Sequence, residues 1–225
     1  MVFGLRNLIF IAPALLLAFW AQARIRSTYA RAQQMAAPLS GAAAARHILD
    51  SAGLSGVDIE QVPGHLSDHY DPRQKVLRLS GDVYGSRSLA AVGIAAHEAG
   101  HAIQDAKNYL PLVVRNAAVP AASFGSSASM ILLVLGMILS QPPLFLFGIG
   151  LFGCVVFFQL VNLPVEFDAS ARAKQQLVSL GIVNQQELTY VSSVLNAAAW
   201  TYVAATLQAI LTLLSFVMRY AGSRR

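Results

Sequence analysis

Three long stretches of this chain contain no Asp, Glu, Lys or Arg, and this pattern limits the folds that it can adopt. They cover residues 7–23, 116–165 and 188–218. A water-soluble domain seldom runs so far without a charge, because its surface must be hydrated. In a bilayer, by contrast, an ionised side chain at the centre costs about 3 kcal/mol or more. The charge pattern therefore predicts an integral membrane protein.

Four apolar segments are long enough to cross a hydrocarbon core of about 30 Å as helices. They are residues 7–23, 117–139, 144–163 and 197–218. Gln141-Pro142-Pro143 joins the second and third as a tight hairpin. Residues 117–129 are rich in small side chains, which favours close helix packing over contact with lipid.

The first apolar segment has two interpretations. Ala21-Gln22-Ala23 resembles the cleavage site of a secretory signal peptide. Trp20 at the segment's end, followed by Arg24 and Arg26, is typical of an uncleaved membrane anchor. We favour the anchor, because basic residues follow the segment as well as precede it.

The polar part of the chain, residues 24–116, predicts a small mixed domain. Hydrophobic periodicity and capping residues predict a helix over 40–52, a strand over 57–62, a hairpin over 69–79 turning at Asp71-Pro72, and a helix from Ser88 to about Ala106. Pro111 is expected to end this region.

Charged residues return after the third apolar segment. Residues 164–180 predict a new helix with Pro164 in its first turn. Asn184 and Glu187 are spaced as a capping box, from which one helix could run to about Arg219.

The expected fold is an α-rich α+β membrane protein, with about four transmembrane helices and a small polar domain that holds a short β-sheet. The expected domains are an anchor (1–23), the polar domain (24–116), a transmembrane hairpin (117–163), a connecting helical region (164–196) and a C-terminal transmembrane helix with a basic tail (197–225).

The sequence His97-Glu98-Ala99-Gly100-His101 matches the H-E-x-x-H pattern of zinc peptidases. On a helix, residues i and i+4 lie on one face, so both imidazoles can bind the same tetrahedral zinc ion. Glu98 is turned away from that face, where it can reach a zinc-activated water and act as a general base. The apolar flanks continue a helix, as this geometry requires.

A catalytic zinc site usually has three protein ligands and one open position, so a third ligand is needed. Glu166 is the best candidate, because the apolar hairpin crosses the membrane twice and returns it to the side of His97. Asp168 could bind the metal instead, or orient a ligand through a hydrogen bond. Both acids could also simply compensate the dipole of a helix that begins at Pro164.

Other polar residues could contact the transition state. His65 and His69 could each donate a hydrogen bond to the tetrahedral intermediate, although both also fit ordinary loop or strand positions. Arg172, Tyr70 and Tyr190 are weaker candidates for the same contact.

Beyond the motif, the chain resembles the neutral zinc metallopeptidases of the YugP-like, type-2 membrane group. The resemblance runs from about Trp20 to Leu207 through four blocks: VPGHLSDHYDPRQKVLRLSGDVYG, AAHEAGHAIQDA, LPVEFDASARA and LNAAAWTYVAA. It implies a multi-pass protease of the bacterial inner membrane whose polar domain, residues 24–116, is zincin-like, with zinc ligands at His97, His101 and Glu166 and a catalytic Glu98. Broader membrane zincins commonly carry an aspartate four residues after the glutamate ligand, a position that is Ser170 here.

These features predict a zinc-dependent endopeptidase that acts on membrane or membrane-proximal proteins. The alternative is a non-catalytic membrane adaptor stabilised by zinc, although structural zinc sites usually have four ligands and often cysteines. A metal transporter fits poorly, because no span carries an ionisable residue at mid-depth. The expected partners are the lipid bilayer, peptide or membrane-protein substrates, and a second copy or a regulatory membrane protein. The net charge of +5 is scattered rather than clustered, which argues against nucleic acid.

The basic residues also predict an orientation. Twelve of the 16 Lys and Arg lie in residues 24–116 and 164–196, on one side of the four spans. The positive-inside rule then places the zinc domain in the cytoplasm.

If this orientation is right, alkaline phosphatase fused after Arg225 should be active, because the C-terminus then lies outside the cytoplasm. A green fluorescent protein fused at the same place should stay dark. The opposite pair of signals would contradict the orientation.

Overall fold

The computed structural model describes residues 5–222, and most of them are helical. The helices are α1 (Leu5–Gln33), α2 (Gly41–Ser51), α3 (Gly81–Tyr84), α4 (Leu89–Ala106), α5 (Leu110–Ile138), α6 (Pro142–Ser179) and α7 (Gln185–Gly222). The strands are β1 (Asp58–Val62), β2 (His69–Asp71) and β3 (Val76–Ser80).

Among the described residues, four helices are long and apolar enough to cross a membrane, and they contain the four predicted spans to within one residue. They are α1, α5, α6 and α7. Large apolar side chains are exposed on them, with Phe19 78% and Leu16 71% exposed. Contiguous apolar surface of this kind is unfavourable in water and favourable against lipid chains. These helices agree with the predicted spans and support the expectation of a membrane protein.

The contacts divide the chain into two compact units. The apolar unit consists of residues 5–21, 113–164 and 200–222. Within it, α5 and α6 approach closely: a Cβ added at Gly125 would lie 2.8 Å from the carbonyl oxygen of Leu151. This contact agrees with the expectation that the small residues of 117–129 serve helix packing.

The polar unit, residues 22–112 and 165–199, has a hydrophobic core of its own. α4 packs against α2, α3 and two strands of the sheet. Leu77 and Leu79 of β3 are fully buried, as are Ile48 of α2 and Val92 of α4. Nearly every residue of α4 is buried. A polar side chain on this helix therefore needs a hydrogen-bonding partner inside the protein.

The sheet has three strands in the order β1-β3-β2. β2 and β3 form the predicted antiparallel hairpin, with His69 opposite Arg78 and Asp71 opposite Val76. β1 pairs with β3 in parallel, a pairing that the sequence did not predict. β3 is therefore the central strand and is paired on both sides. Within the hairpin, only β2, with three residues, is an edge strand.

Three predicted helix starts are confirmed by their capping contacts. The Ser40 hydroxyl accepts from the Ala43 N–H ahead of α2, and the Ser88 hydroxyl from the Ala91 N–H ahead of α4. Before α7, Asn184 Oδ1 accepts from the Glu187 N–H at 2.9 Å, while the Glu187 carboxylate accepts from the Asn184 N–H at 2.8 Å. This reciprocal pair is a capping box.

Two predictions rested on prolines, and one of them was wrong. Pro111 lies one residue before the polar unit ends at Leu112, as expected, and it stands in the first turn of α5, where a missing N–H breaks no helical hydrogen bond. Pro164 does not begin a helix, because it lies inside α6, which continues from Pro142 to Ser179. Proline removes one backbone hydrogen bond from a helix, but membrane helices tolerate it where neighbouring groups compensate.

Gly100 allows two helices of the polar unit to approach closely. A Cβ at this position would lie 2.7 Å from the carbonyl oxygen of Ala169 in α6, a distance that real Cβ contacts do not show. Gly93, two turns earlier on α4, would place a Cβ 2.9 Å from Cγ1 of Val191 in α7. The helix carbonyl at Ala169 cannot move aside for an added methyl group.

Gly100→Ala should therefore destabilise the protein by about 1–3 kcal/mol, in the range for overpacked interiors. Gly153→Ala is the matched control: an added Cβ there meets nothing within 4 Å, so this variant should not be destabilised. Thermal unfolding of the detergent-solubilised protein measures both. Equal melting temperatures for Gly100→Ala and the wild type would contradict the close approach.

Candidate metal centre

α4 places the two motif histidines on one buried face. The ring centroids of His97 and His101 lie 4.8 Å apart, and their planes are inclined by 82°. This arrangement follows from the helical spacing of four residues, which brings two side chains together one turn apart. His101 is buried and His97 nearly so.

Glu166 of α6 faces both imidazoles. Its Oε2 atom lies 3.2 Å from Nε2 of His97 and 3.7 Å from Nε2 of His101. Two ligand atoms bound tetrahedrally to one zinc ion, each about 2.0–2.1 Å from it, are about 3.3 Å apart. The spacing therefore fits ligands that share an ion.

The chemistry of this group also suits a metal. His97, His101 and Glu166 each offer one ligand atom, and these atoms all lie within 4.8 Å of one another. Two imidazoles and one carboxylate form the ligand set of many catalytic zinc sites, which leave a fourth position open. The described residues can therefore hold Zn²⁺ through three side chains.

The electrostatics of His101 reflect its acidic neighbours. Burial alone would lower the pKa of His101, but the hydrogen bond with Glu166 and the negative charges of Glu98 and Glu166 outweigh it and raise the pKa. A proton on the imidazole competes with a metal ion for the same nitrogen.

The other ring nitrogen of each histidine has its own partner. Nδ1 of His97 lies 3.1 Å from the hydroxyl of Ser170, and Nδ1 of His101 lies 3.0 Å from Oε1 of Gln104. Such contacts orient a ligand ring and leave Nε2 for the metal. The sequence reasoning missed Gln104, although it stands three residues after His101 on the same helix. Ser170 was noted only as a departure from a common pattern.

Asp168 does not join the three-residue group. Its Oδ2 accepts hydrogen bonds from Gln104 Nε2 at 2.8 Å and from Arg172 Nε at 2.5 Å. Arg172 is also placed over the ring of Tyr109, 5.7 Å from its centroid. Asp168 therefore contacts His101 indirectly, through Gln104. This arrangement agrees with the expectation that Asp168 orients a ligand through hydrogen bonds.

Glu98 follows His97 directly and is buried beside the cluster. It points about 100° away from His97 around the helix axis, so it does not share the ligand face. Its charge is nevertheless close enough to raise the pKa of His101. This position suits a group that acts on a ligand of the metal rather than on the metal itself.

The other candidates are placed in separate contacts. His65 is exposed, and its Nδ1 lies 2.6 Å from Oδ2 of Asp82. His69 lies on β2, with Nδ1 2.8 Å from the carbonyl oxygen of Ser67.

The two tyrosines are also accounted for by the polar unit. The Tyr70 hydroxyl donates to Asp105 at 2.8 Å, and burial together with this hydrogen bond raises the pKa of Tyr70. Tyr190 packs against the hydrophobic core of the polar unit. A role for these tyrosines, for His65 or for His69 in the transition state stays a prediction.

Glu166→Gln should release zinc, because a neutral amide is a far weaker ligand than a carboxylate. Glu60→Gln, an exposed acid on β1 that is not a predicted ligand, is the matched control and should keep its metal. Elemental analysis of protein purified without chelators measures both. Full zinc occupancy in Glu166→Gln would refute the ligand assignment.

Comparisons with known proteins extend over most of the chain. A protein family described as "Putative neutral zinc metallopeptidase" matches residues 7–221. A relative from Bacillus subtilis (strain 168), named "Putative membrane protease YugP", is 46% identical over 213 residues, which are 94% of this chain and 95% of the relative. No solved structure matches the chain. The family implies zinc as the cofactor, and the cluster of His97, His101 and Glu166 can hold it. The chain is therefore a membrane protein that belongs to the neutral zinc metallopeptidase family.

Proposed function

We propose that this protein is a zinc-dependent endopeptidase embedded in the membrane, with Glu98 as its general base. The convergence of His97, His101 and Glu166 carries this proposal. Three ligands leave a coordination position for water or substrate, whereas a structural zinc site is usually closed by four. The glutamate beside the first histidine supplies the proton acceptor that hydrolysis needs.

The proposed reaction is the hydrolysis of a peptide bond. When bound, zinc would polarise a water molecule and the scissile carbonyl, which makes the water more acidic and the carbonyl more electrophilic. Glu98 removes a proton from the water as its oxygen attacks the carbonyl carbon. The carbon–nitrogen bond then breaks, and Glu98 delivers the proton to the departing amine.

The surroundings of Glu98 support this role. Glu98 is only 9% exposed, in a unit whose interior is mostly apolar. Partial removal from water strengthens electrostatic interactions with a reacting group. Gln104 holds His101 through Nδ1, which leaves Nε2 of His101 for the metal. Glu98 then remains the group available for proton transfer.

Substrates embedded in or close to the membrane fit the position of Glu166 in the chain. Glu166 lies on α6, the helix that also contains the apolar segment 144–163, within one turn of that segment's end. We infer that the protein resides in the bacterial inner membrane with its zinc domain on the cytoplasmic face. The orientation rests on the distribution of Lys and Arg.

Glu98→Gln tests the enzyme against the alternative of a zinc-stabilised adaptor. Peptide cleavage should fall about 10²–10⁴-fold, the usual contribution of a general base, while the zinc content stays at the wild-type level. Mass spectrometry of a peptide library incubated with each protein measures cleavage, and elemental analysis measures zinc. Undiminished cleavage by a zinc-replete Glu98→Gln protein would refute the mechanism.

A further inference from the structure

Gln104 is fully buried, although it carries a polar amide. A buried amide is unfavourable unless its two donors and its acceptor oxygen find partners. Gln104 lies on α4, three residues after His101, and each end of its amide is satisfied by a different helix. Its hydrogen bonds therefore connect α4 with α6.

The amide nitrogen of Gln104 faces two acceptors on α6. Nε2 donates to the carbonyl oxygen of Val165 and to Oδ2 of Asp168, both at 2.8 Å. An amide oxygen could not take this place, because it has no proton to give to either acceptor. The amide orientation is thereby determined, and Oε1 must face His101.

This orientation determines which nitrogen of His101 carries the proton. Oε1 of Gln104 lies 3.0 Å from Nδ1 of His101 and can only accept. Nδ1 therefore donates, and the lone pair of the neutral ring lies on Nε2, the nitrogen that faces Glu166. A metal ligand needs that lone pair.

The same amide also holds the segment that carries the third ligand. Val165, whose carbonyl oxygen accepts from Gln104, directly precedes Glu166. Asp168, the second acceptor, is held in turn by Arg172 through hydrogen bonds of 2.5 and 3.3 Å. His97 has a separate support in Ser170. Gln104 is thus in contact with one ligand and with the backbone beside another.

We propose that Gln104 is a positioning residue that assembles the metal centre by hydrogen-bonding His101 and the Val165–Asp168 turn of α6 at once. This inference rests on the proposed metal centre but not on peptide hydrolysis. Only a side chain with both a donor and an acceptor satisfies these contacts. A glutamate here would lose the donors and would bring a second carboxylate against Asp168.

Full-length protein in detergent, loaded with zinc, tests the proposal through the rate at which a chromophoric chelator removes the metal. Gln104→Glu keeps an acceptor for His101 but loses both donor bonds to α6 and places a carboxylate against Asp168. It should therefore release zinc at least about 10-fold faster, within the roughly 10–100-fold range typical of changes to the groups that support metal ligands. Gln185→Glu, an exposed glutamine at the start of α7, is the matched control and should release zinc at the wild-type rate.

A second substitution separates positioning from a general loss of stability. In Gln104→Glu with Asp168→Asn, the new carboxylate can accept from His101 and from the new amide, so donor and acceptor have exchanged places. The double variant should retain zinc better than Gln104→Glu alone, giving a coupling energy between the two sites. The visible spectrum of the Co²⁺-loaded protein should shift in Gln104→Glu and return towards the wild-type spectrum in the double variant.

Unchanged zinc release in Gln104→Glu would overturn the proposal. So would a double variant whose loss of zinc affinity equals the sum of the losses in Gln104→Glu and Asp168→Asn. If Gln104→Glu does not fold, the comparison of the double variant with Asp168→Asn alone still tests the proposal. The double variant must then retain zinc at least as well as Asp168→Asn. A wild-type protein that binds no zinc would instead overturn the metal centre itself.

Discussion

The structure depends on a carboxylate from one helix meeting two imidazoles from another inside the protein. Glu166 Oε2 lies within 3.7 Å of Nε2 on both His97 and His101. Buried charge is costly unless it is paired or coordinates a metal, so these three side chains satisfy one another only while α4 and α6 stay in register. Gly100 makes that register attainable, because any side chain at this position would collide with the backbone at Ala169.

The polar contacts around the cluster form two independent supports. Ser170, one turn after Glu166 on α6, holds His97, and Gln104 holds His101 from within α4. Both leave Nε2 directed at the carboxylate. For His101, the preference for one tautomer is therefore built into the protein, because Gln104 Oε1 can only accept; the Ser170 hydroxyl beside His97 can donate or accept.

Much of this arrangement could be predicted from the sequence. Long charge-free segments identified the membrane helices, because the bilayer imposes a simple rule on composition. Ser88 and the capping box at Asn184 located the starts of α4 and α7, since these motifs act over a few residues. The spacing of His97 and His101 on a helix, together with the need for a third ligand, led to Glu166, and the structure brings the three together.

What the sequence did not predict depends on contacts between distant segments. Pro164 suggested a helix start, yet α6 passes through it, because tertiary and membrane surroundings outweigh a local preference. The parallel pairing of β1 with β3 and the bonds from Gln104 to α6 join residues that no local pattern relates. A buried glutamine is recognisable as a positioning group only when its acceptors are known.

The ligands of the metal centre are separated along the chain, with Glu166 following His97 by 69 residues. The hairpin of α5 and α6 lies between them, and a nascent chain exposes both histidines long before it reaches the carboxylate. Until both helices of the hairpin have been synthesised, the chain contains His97 and His101 but not yet Glu166. A metal centre built this way cannot form during the early part of the chain's synthesis, so completion of the α5–α6 hairpin is a prerequisite for its assembly.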